Sequence, residues 1–337
     1  MKKSIVKRTF ILLLVGLMSF LSLGTFSCTS FEPATELAVQ SSTDSRPPLK
    51  IVASVFAAYD FCRTITGAMA DVTLLVPPGT EAHSFEPSPA DIMLLNSADV
   101  FLCAGGDSDA WLDQIVSSLD NPHLLVLRMT DMVATETVSE PDNAAVSSEQ
   151  EASSALLQGA DQEIDEHVWT SLRKSQTIVA TCADTFAQLD PAHASIFQAN
   201  AQTFIGELKQ LDNQITSIVQ HAKRKTIVVG DRFPFRYFAE DYGLSWYAAF
   251  PGCSTAVDTS RATMMSLINT IRGQDIPVVF YIELSDQRIA RTISEETGAV
   301  PLCLNSMHTV SRNDFEAGVT YLDLMRANAK NLEVALN

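Results

Sequence analysis

The chain has 337 residues, 46% of them hydrophobic, with 23 Lys and Arg against 40 Asp and Glu and a formal net charge of −17. So acidic a protein excludes nucleic acid as a partner, because binding phosphates needs clustered cations. The length suits two lobes of ordinary domain size or one barrel, and the order of elements has to decide between them.

Residues 1–27 read as an export signal: Lys2, Lys3, Lys7 and Arg8, then the apolar run FILLLVGLMSFLSL, then small residues up to Ser27. The run is shorter than the ~20 residues that a membrane-spanning helix needs. Cys28 closes the stretch GTFSC and is the expected lipid-bearing first residue of a bacterial lipoprotein. Thr25 stands where that pattern prefers Leu, and cleavage to a soluble secreted protein is the alternative. Loss of the leader's four cations leaves 19 against 40 anions, a net charge of −21. The other cysteines, Cys62, Cys103, Cys182, Cys253 and Cys303, form no C-x-x-C pair and read as small buried residues. A bridge between Cys253 and Cys303 fits an oxidising compartment.

Residues 28–48 are polar, rich in Ser and Thr and closed by prolines, which predicts a flexible tether. LKIVASVF then predicts a buried strand, Ala58 to Met69 a helix and DVTLLVP a second strand. In SPADIMLL, Ser88 as N-cap, Pro89 as first helical residue and Asp91 as the acidic third mark a helix start. His83 lies in the stiff loop PPGTEAHSFEP between that strand and that helix, at the rim where open α/β sheets bind ligands. ADVFLCAGG and HLLVLR read as two more strands, with SDAWLDQIVSSL as a helix between them. From Thr135 to Glu166 there are nine acidic residues and no Lys or Arg, which predicts a solvated, mobile insertion. It ends in DEHVWTSLRKS, where His167 precedes another apolar helical pattern.

Phe204, Leu208, Leu211, Ile215 and Ile218 are spaced four, three, four, three, the buried stripe of one long helix over residues 191–222. The α/β rhythm then restarts. KTIVVG, LSWYAAF, PVVFYIE and AVPLCL are predicted strands; FRYFAEDYG, ATMMSLINTIRG, DQRIARTISEETG and residues 313–335 are predicted helices. The expected fold is α/β, two lobes each with a mostly parallel sheet flanked by helices, joined by one long rigid helix. The expected divisions are 49–190 for the first lobe, 191–222 for the linker helix and 223–337 for the second lobe.

The residues able to carry chemistry are His83, His167, Asp231, Glu283 and Asn305. The last three follow the predicted strands TIVVG, VVFYI and VPLCL, and the carboxyl ends of parallel strands converge on one crevice. Two imidazoles facing two or three oxygen donors make a mixed site suited to zinc, or to manganese if more oxygens join. Taken singly, each also has a plain structural reading. Asp231 can form a turn, Glu283 can pair with Arg232, Arg236 or Arg288, and Asn305 can close the turn LNSM. His123, His193, His221 and His308 read as solvated side chains.

The stretch LLVPPGTEAHSFEPSPADIMLLNSADVFLCAGGDSDAWL resembles the ligand-bearing region of the solute-binding lipoproteins of zinc and manganese ABC importers, of the metal-binding cluster A-I type. DEHVWTSL, YFAEDYGL and FYIELSDQRIARTISEETGAVPL follow in the same order, so the likeness covers residues 49–336. It implies two lobes joined by a rigid helix, one metal in the cleft, delivery to a membrane permease, and an extracytoplasmic, lipid-anchored monomer. His83 and His167 correspond to the first two ligands of that family. The second lobe makes this chain a variant with altered ligands. Where the family has His or Glu, GDRFPFRYF offers Asp231 with one inserted residue or Arg232 without. Where the family has Asp in a leucine-aspartate turn, this chain has Leu304 and Asn305, which leaves Glu283 to supply the missing charge.

The resulting expectation is a non-enzymatic receptor for zinc, with manganese second. Its binding should weaken as pH falls toward ~6.5, because ligands must be deprotonated. The rivals are a metal-dependent hydrolase, for which no H-E-x-x-H or G-x-S-x-G motif speaks, and a surface adhesin. An adhesin would lose its partner on deletion of residues 138–160, whereas a metal receptor would keep its affinity.

Overall fold

The computed structural model describes residues 47–106, 109, 111–112, 115, 119–135, 164–250 and 259–337. The expected leader, Cys28, most of the tether, the bulk of the acidic insertion, much of the helix expected at SDAWLDQIVSSL, and Cys253 lie outside these residues.

Two four-stranded parallel sheets carry the chain. The first is built from β1 (Leu49–Ala53), β2 (Ala70–Leu74), β3 (Val100–Cys103) and β4 (Leu125–Arg128), in the order β2-β1-β3-β4. The second repeats that order as β6-β5-β7-β8, with β5 (Thr226–Val229), β6 (Ser245–Ala248), β7 (Val278–Tyr281) and β8 (Val300–Cys303). In each sheet the order reverses beside the first strand, between β1 and β3 and between β5 and β7. The crevice at such a reversal is where doubly wound sheets place ligands. The inner strands β3 and β7 are apolar runs with nearly every residue buried, as expected of parallel strands covered on both faces.

Helix α1 (Phe56–Thr66) starts at once after β1, so the strand expected over LKIVASVF stops at Ala53. Helix α2 (Pro89–Asn96) opens with the expected capping box: Ser88 Oγ accepts from Asp91 N, and the Asp91 carboxylate accepts from Ser88 N at 2.8 Å. Helix α3 (Leu172–Leu189) packs along α4 (Ala194–Gln220), the expected long helix. Its 27 residues span ~40 Å. Phe197, Ala201, Phe204, Leu208, Leu211, Ile215 and Val219 form its buried stripe, with Ile218 only partly buried. In the second lobe come α5 (Arg236–Tyr242), α6 (Arg261–Gly273) and α7 (Arg288–Thr297).

The helix expected over 313–335 is two helices, α8 (Arg312–Glu316) and α9 (Tyr321–Leu336). Gly318 takes a φ of 74°, a left-handed conformation that glycine adopts without steric cost, and this ends α8. Thr320 then caps α9 through a second capping box with Asp323. Cys62, Cys103 and Cys182 are buried as expected, and Cys303 carries a free thiol. Among the described residues no helix is long and apolar enough to cross a membrane.

Candidate metal centre

His83 sits in a single 3-10 turn, Ala82–Ser84, ahead of α2. The preceding turn is closed by Thr80 N donating to Pro77 O at 3.0 Å, with Gly79 at φ 82° behind Pro78. Pro at the second turn position and a positive-φ Gly at the third are the type II pattern. His167 leads into the 3-10 turn Val168–Thr170. Its Nδ1 lies 2.8 Å from Asp165 Oδ1, and an ionised carboxylate there makes Nδ1 the donor. Nε2 is thus the nitrogen left with a lone pair, the arrangement that orients a metal-binding imidazole. Burial pushes the Asp165 carboxyl up, but hydrogen bonds and charge from His167, with help from Arg236, outweigh it and hold the pKa below the usual value.

Two further residues complete a group. His83, Glu166, His167 and His308 each offer one donor atom, and the four atoms all lie within 4.8 Å of one another. Glu166 Oε1 is 3.9 Å from His83 Nε2 and 3.5 Å from His308 Nε2. The edges of a zinc tetrahedron with bonds of 2.0–2.1 Å are about 3.3–3.4 Å, so these separations need only a small contraction. The three rings lie close together, with centroids 4.7 Å apart for His83 and His308, 5.2 Å for His167 and His308, and 6.0 Å for His83 and His167. Glu166, His167 and His308 are buried, at 3%, 3% and 7% exposure. Among the described residues His308 Nε2 has no hydrogen-bond partner. Burial first, then the neighbouring His83, His167 and Arg232, hold the His308 pKa well below the usual imidazole range, so its lone pair is available. The cleft between the rings encloses about 20 Å³, room for one ion or water.

Glu166 owes its seat to Gly106, after β3. A Cβ added to Gly106 would lie 2.4 Å from both Cβ and Oε2 of Glu166, so only glycine leaves the space. At the rim, Arg232 donates to Glu81 Oε2 at 3.0 Å.

Of the five residues expected from sequence, the structure brings together His83 and His167. Asp231, Glu283 and Asn305 stand just past strand ends as expected but are not among the four gathered donors. Asp231 Oδ1 accepts from Arg232 N at 2.9 Å. Both Glu283 oxygens accept from Ser306. Asn305 is held by Asn328, which takes its backbone N–H at 2.7 Å and donates to its carbonyl at 2.8 Å. The second lobe's contribution is His308, three residues beyond Asn305. Read from sequence as solvated, it is buried because its loop folds onto the first lobe. His123 and His221 are exposed as expected, and His193 pairs with Asp190. Glu166 was counted among the acids of the insertion, and its place directly before His167 was the available signal.

Residues 51–335 match the family ZnuA, described as zinc-uptake complex component A periplasmic. The chain is 28% identical over 288 residues to the zinc-binding protein AdcA of Streptococcus pyogenes serotype M3, covering 85% of this chain but 56% of that relative. It therefore spans little more than half the length of the AdcA relatives it matches. It is 25% identical over 298 residues to the high-affinity zinc uptake system protein ZnuA of Bacillus subtilis, covering 88% and 91% of the two chains. The crystal structure of the Zn(II)-bound ZnuA-like domain of Streptococcus pneumoniae AdcA superposes with a TM-score of 0.69 at 26% identity, over 86% of this chain and 99% of that one.

Proposed function

The chain belongs to the ZnuA family, and from that premise we propose that it is an extracytoplasmic solute-binding protein that captures zinc, with manganese second, for the permease of an ABC importer. Its ligands are His83, Glu166, His167 and His308. The observation that carries this reading is the convergence of three imidazoles and one carboxylate, all within 4.8 Å, in a cleft with room for one ion. Three nitrogens and one oxygen suit tetrahedral zinc, whereas manganese favours more oxygens. The protein performs no chemical step. Four protein donors fill a tetrahedron and leave none of the open positions that catalytic zinc requires, which argues against a hydrolase. It works as a monomer tethered to the membrane by lipid on Cys28, and the names of its relatives support the zinc and the uptake role.

The test is metal analysis of protein purified without chelator. About one zinc per chain is expected for the native protein, and far less for His83→Ala, His167→Ala and Glu166→Gln. Equal metal content in all four proteins would sink the reading. Mass analysis of membrane-extracted protein checks the anchor, with Cys28→Ala expected to release it into the soluble fraction.

A further inference from the structure

Glu283 follows β7 by two residues and lines the cleft of the metal group, yet it is not among the four gathered donors. Its Oε2 accepts the Ser306 backbone N–H at 2.7 Å, and its Oε1 accepts the Ser306 hydroxyl proton. The Ser306 oxygen in turn accepts the backbone N–H of His308 at 3.2 Å. A short relay of hydrogen bonds thus runs from the end of a second-lobe strand to the backbone of His308. The carbonyls of the same segment all face the first lobe. Ser306 O accepts from Trp169 Nε1 at 2.8 Å, Met307 O from Ala57 N at 3.1 Å and His308 O from Phe56 N at 3.0 Å. Between these grips Met307 has a φ of 57°, a conformation that a residue with a Cβ holds only where its surroundings enforce it.

We propose that Glu283 is a positioning residue: it fixes Ser306, and through Ser306 the direction in which His308 presents Nε2 to the metal. This role presupposes His308 as a ligand, as proposed above. A carboxylate suits the task because it is acceptor-only and takes both the N–H and the O–H of one residue. A glutamine there would turn a donor toward one of them. Losing an outer partner of a metal ligand typically lowers affinity 10–100-fold. The carboxylate that the resemblance offers as a ligand instead braces the loop that carries one.

The experiment measures zinc affinity by competition with a chromophoric chelator on the full chain, for Glu283→Gln, Ser306→Ala, His308→Ala and the two double variants with His308→Ala. Melting of the metal-free proteins reports folding. Glu283→Gln is expected to weaken zinc binding at least tenfold and Ser306→Ala about threefold. On the His308→Ala background neither should weaken it more than twofold further, because the brace acts only through His308. In cobalt-loaded protein, Glu283→Gln should shift the visible bands toward those of His308→Ala. If Glu283→Gln fails to fold, Ser306→Ala and its double variant decide alone. Unchanged affinity in Ser306→Ala, or a full additional loss in the double variants, would overturn the positioning role while leaving the ligand set standing. If His308→Ala itself binds zinc normally, the ligand set falls and the brace with it.

Discussion

The loop that carries His83 and the loop that carries His308 bring their rings to 4.7 Å from each other, but their backbones are held by different means. Around His83 most bonds close within a few residues: Thr80 N to Pro77 O, Ser84 Oγ to Glu81 O, Phe85 N to Ala82 O, then the Ser88 cap. Gly79 N to Val310 O and the Glu81 pair with Arg232 reach across to the other lobe. Around His308 almost every bond is remote in sequence, to Phe56, Ala57, Trp169, Glu283 and Asn328. A local loop owes its shape to its own prolines and caps. The remote one exists only once the fold around it does, so damage far along the chain should reach its histidine.

The largest expected effect breaks the remote loop. Trp169 is fully buried, donates to Ser306 O, and lies 5.2 Å from the His308 ring. Trp169→Ala should cost about 3–5 kcal/mol of stability and lower zinc affinity at least a hundredfold, by chemical denaturation and chelator competition. Pro78→Ala in the local loop removes only pre-set turn geometry and should cost about 0.4–1 kcal/mol, with affinity within about threefold. Equal losses from the two changes would erase the distinction between the loops.

The same contrast explains what could be read in the sequence. The strands, the long helix, the Ser88 cap and the loop position of His83 follow from patterns within about ten residues, and the structure has these elements. His308 could not be recognised that way, because its burial depends on the N-terminus of α1, more than two hundred residues earlier. Asp231, Glu283 and Asn305 stand just past strand ends, but position along a strand does not fix which side chains gather with the histidines. Two glycines show how space, unlike position, is assigned only in the fold. Gly230, after β5, lies so close to α7 that a Cβ would meet Ala290 Cα at 2.8 Å, whereas Gly106 after β3 leaves room for Glu166. Gly230→Ala should therefore disturb packing, at about 1–3 kcal/mol, and leave the ligands in place. Gly106→Ala should displace Glu166 and lower zinc affinity about tenfold or more, close to the loss in Glu166→Gln. Normal zinc binding by Gly106→Ala would remove Glu166 from the ligand set.

Acid should act on the remote loop as well. The His308 pKa lies well below its unfolded value of about 6.5, chiefly through burial and then through His83, His167 and Arg232; Glu166 faces it from the other side. As pH falls from about 6.5 toward that lowered value, the unfolded chain takes up the proton first, and metal-free protein loses up to about 1.4 kcal/mol per pH unit. Glu283 works in the opposite sense. Burial, against the Ser306 bonds, raises its pKa, so the folded state protonates first and gains stability as pH falls through that raised value toward about 4.5. Denaturation curves of native protein and His308→Gln between pH 7 and 5.5 separate the two, since only the native protein should show the histidine slope. Identical slopes would show that His308 is not held neutral by its surroundings.

The smallest effects sharpen the contrast most, because they are matched in chemistry. Ser88 and Thr320 cap α2 and α9 with the same box, the cap N–H donating to Asp91 at 2.8 Å in one and to Asp323 at 3.1 Å in the other. Ser88→Ala and Thr320→Ala should each cost about 1 kcal/mol in thermal unfolding. Their consequences for zinc should differ. Ser88 lies five residues past His83 and fixes the exit of a loop held mostly by its own short-range bonds, so its loss should weaken binding about threefold. Thr320 lies twelve residues past His308, beyond a loop already gripped by Trp169, α1 and Glu283, so its loss should leave binding within twofold. Equal stability losses with unequal affinity losses would locate the local support at Ser88. The reverse pattern would mean that α9, rather than those grips, sets the direction of His308.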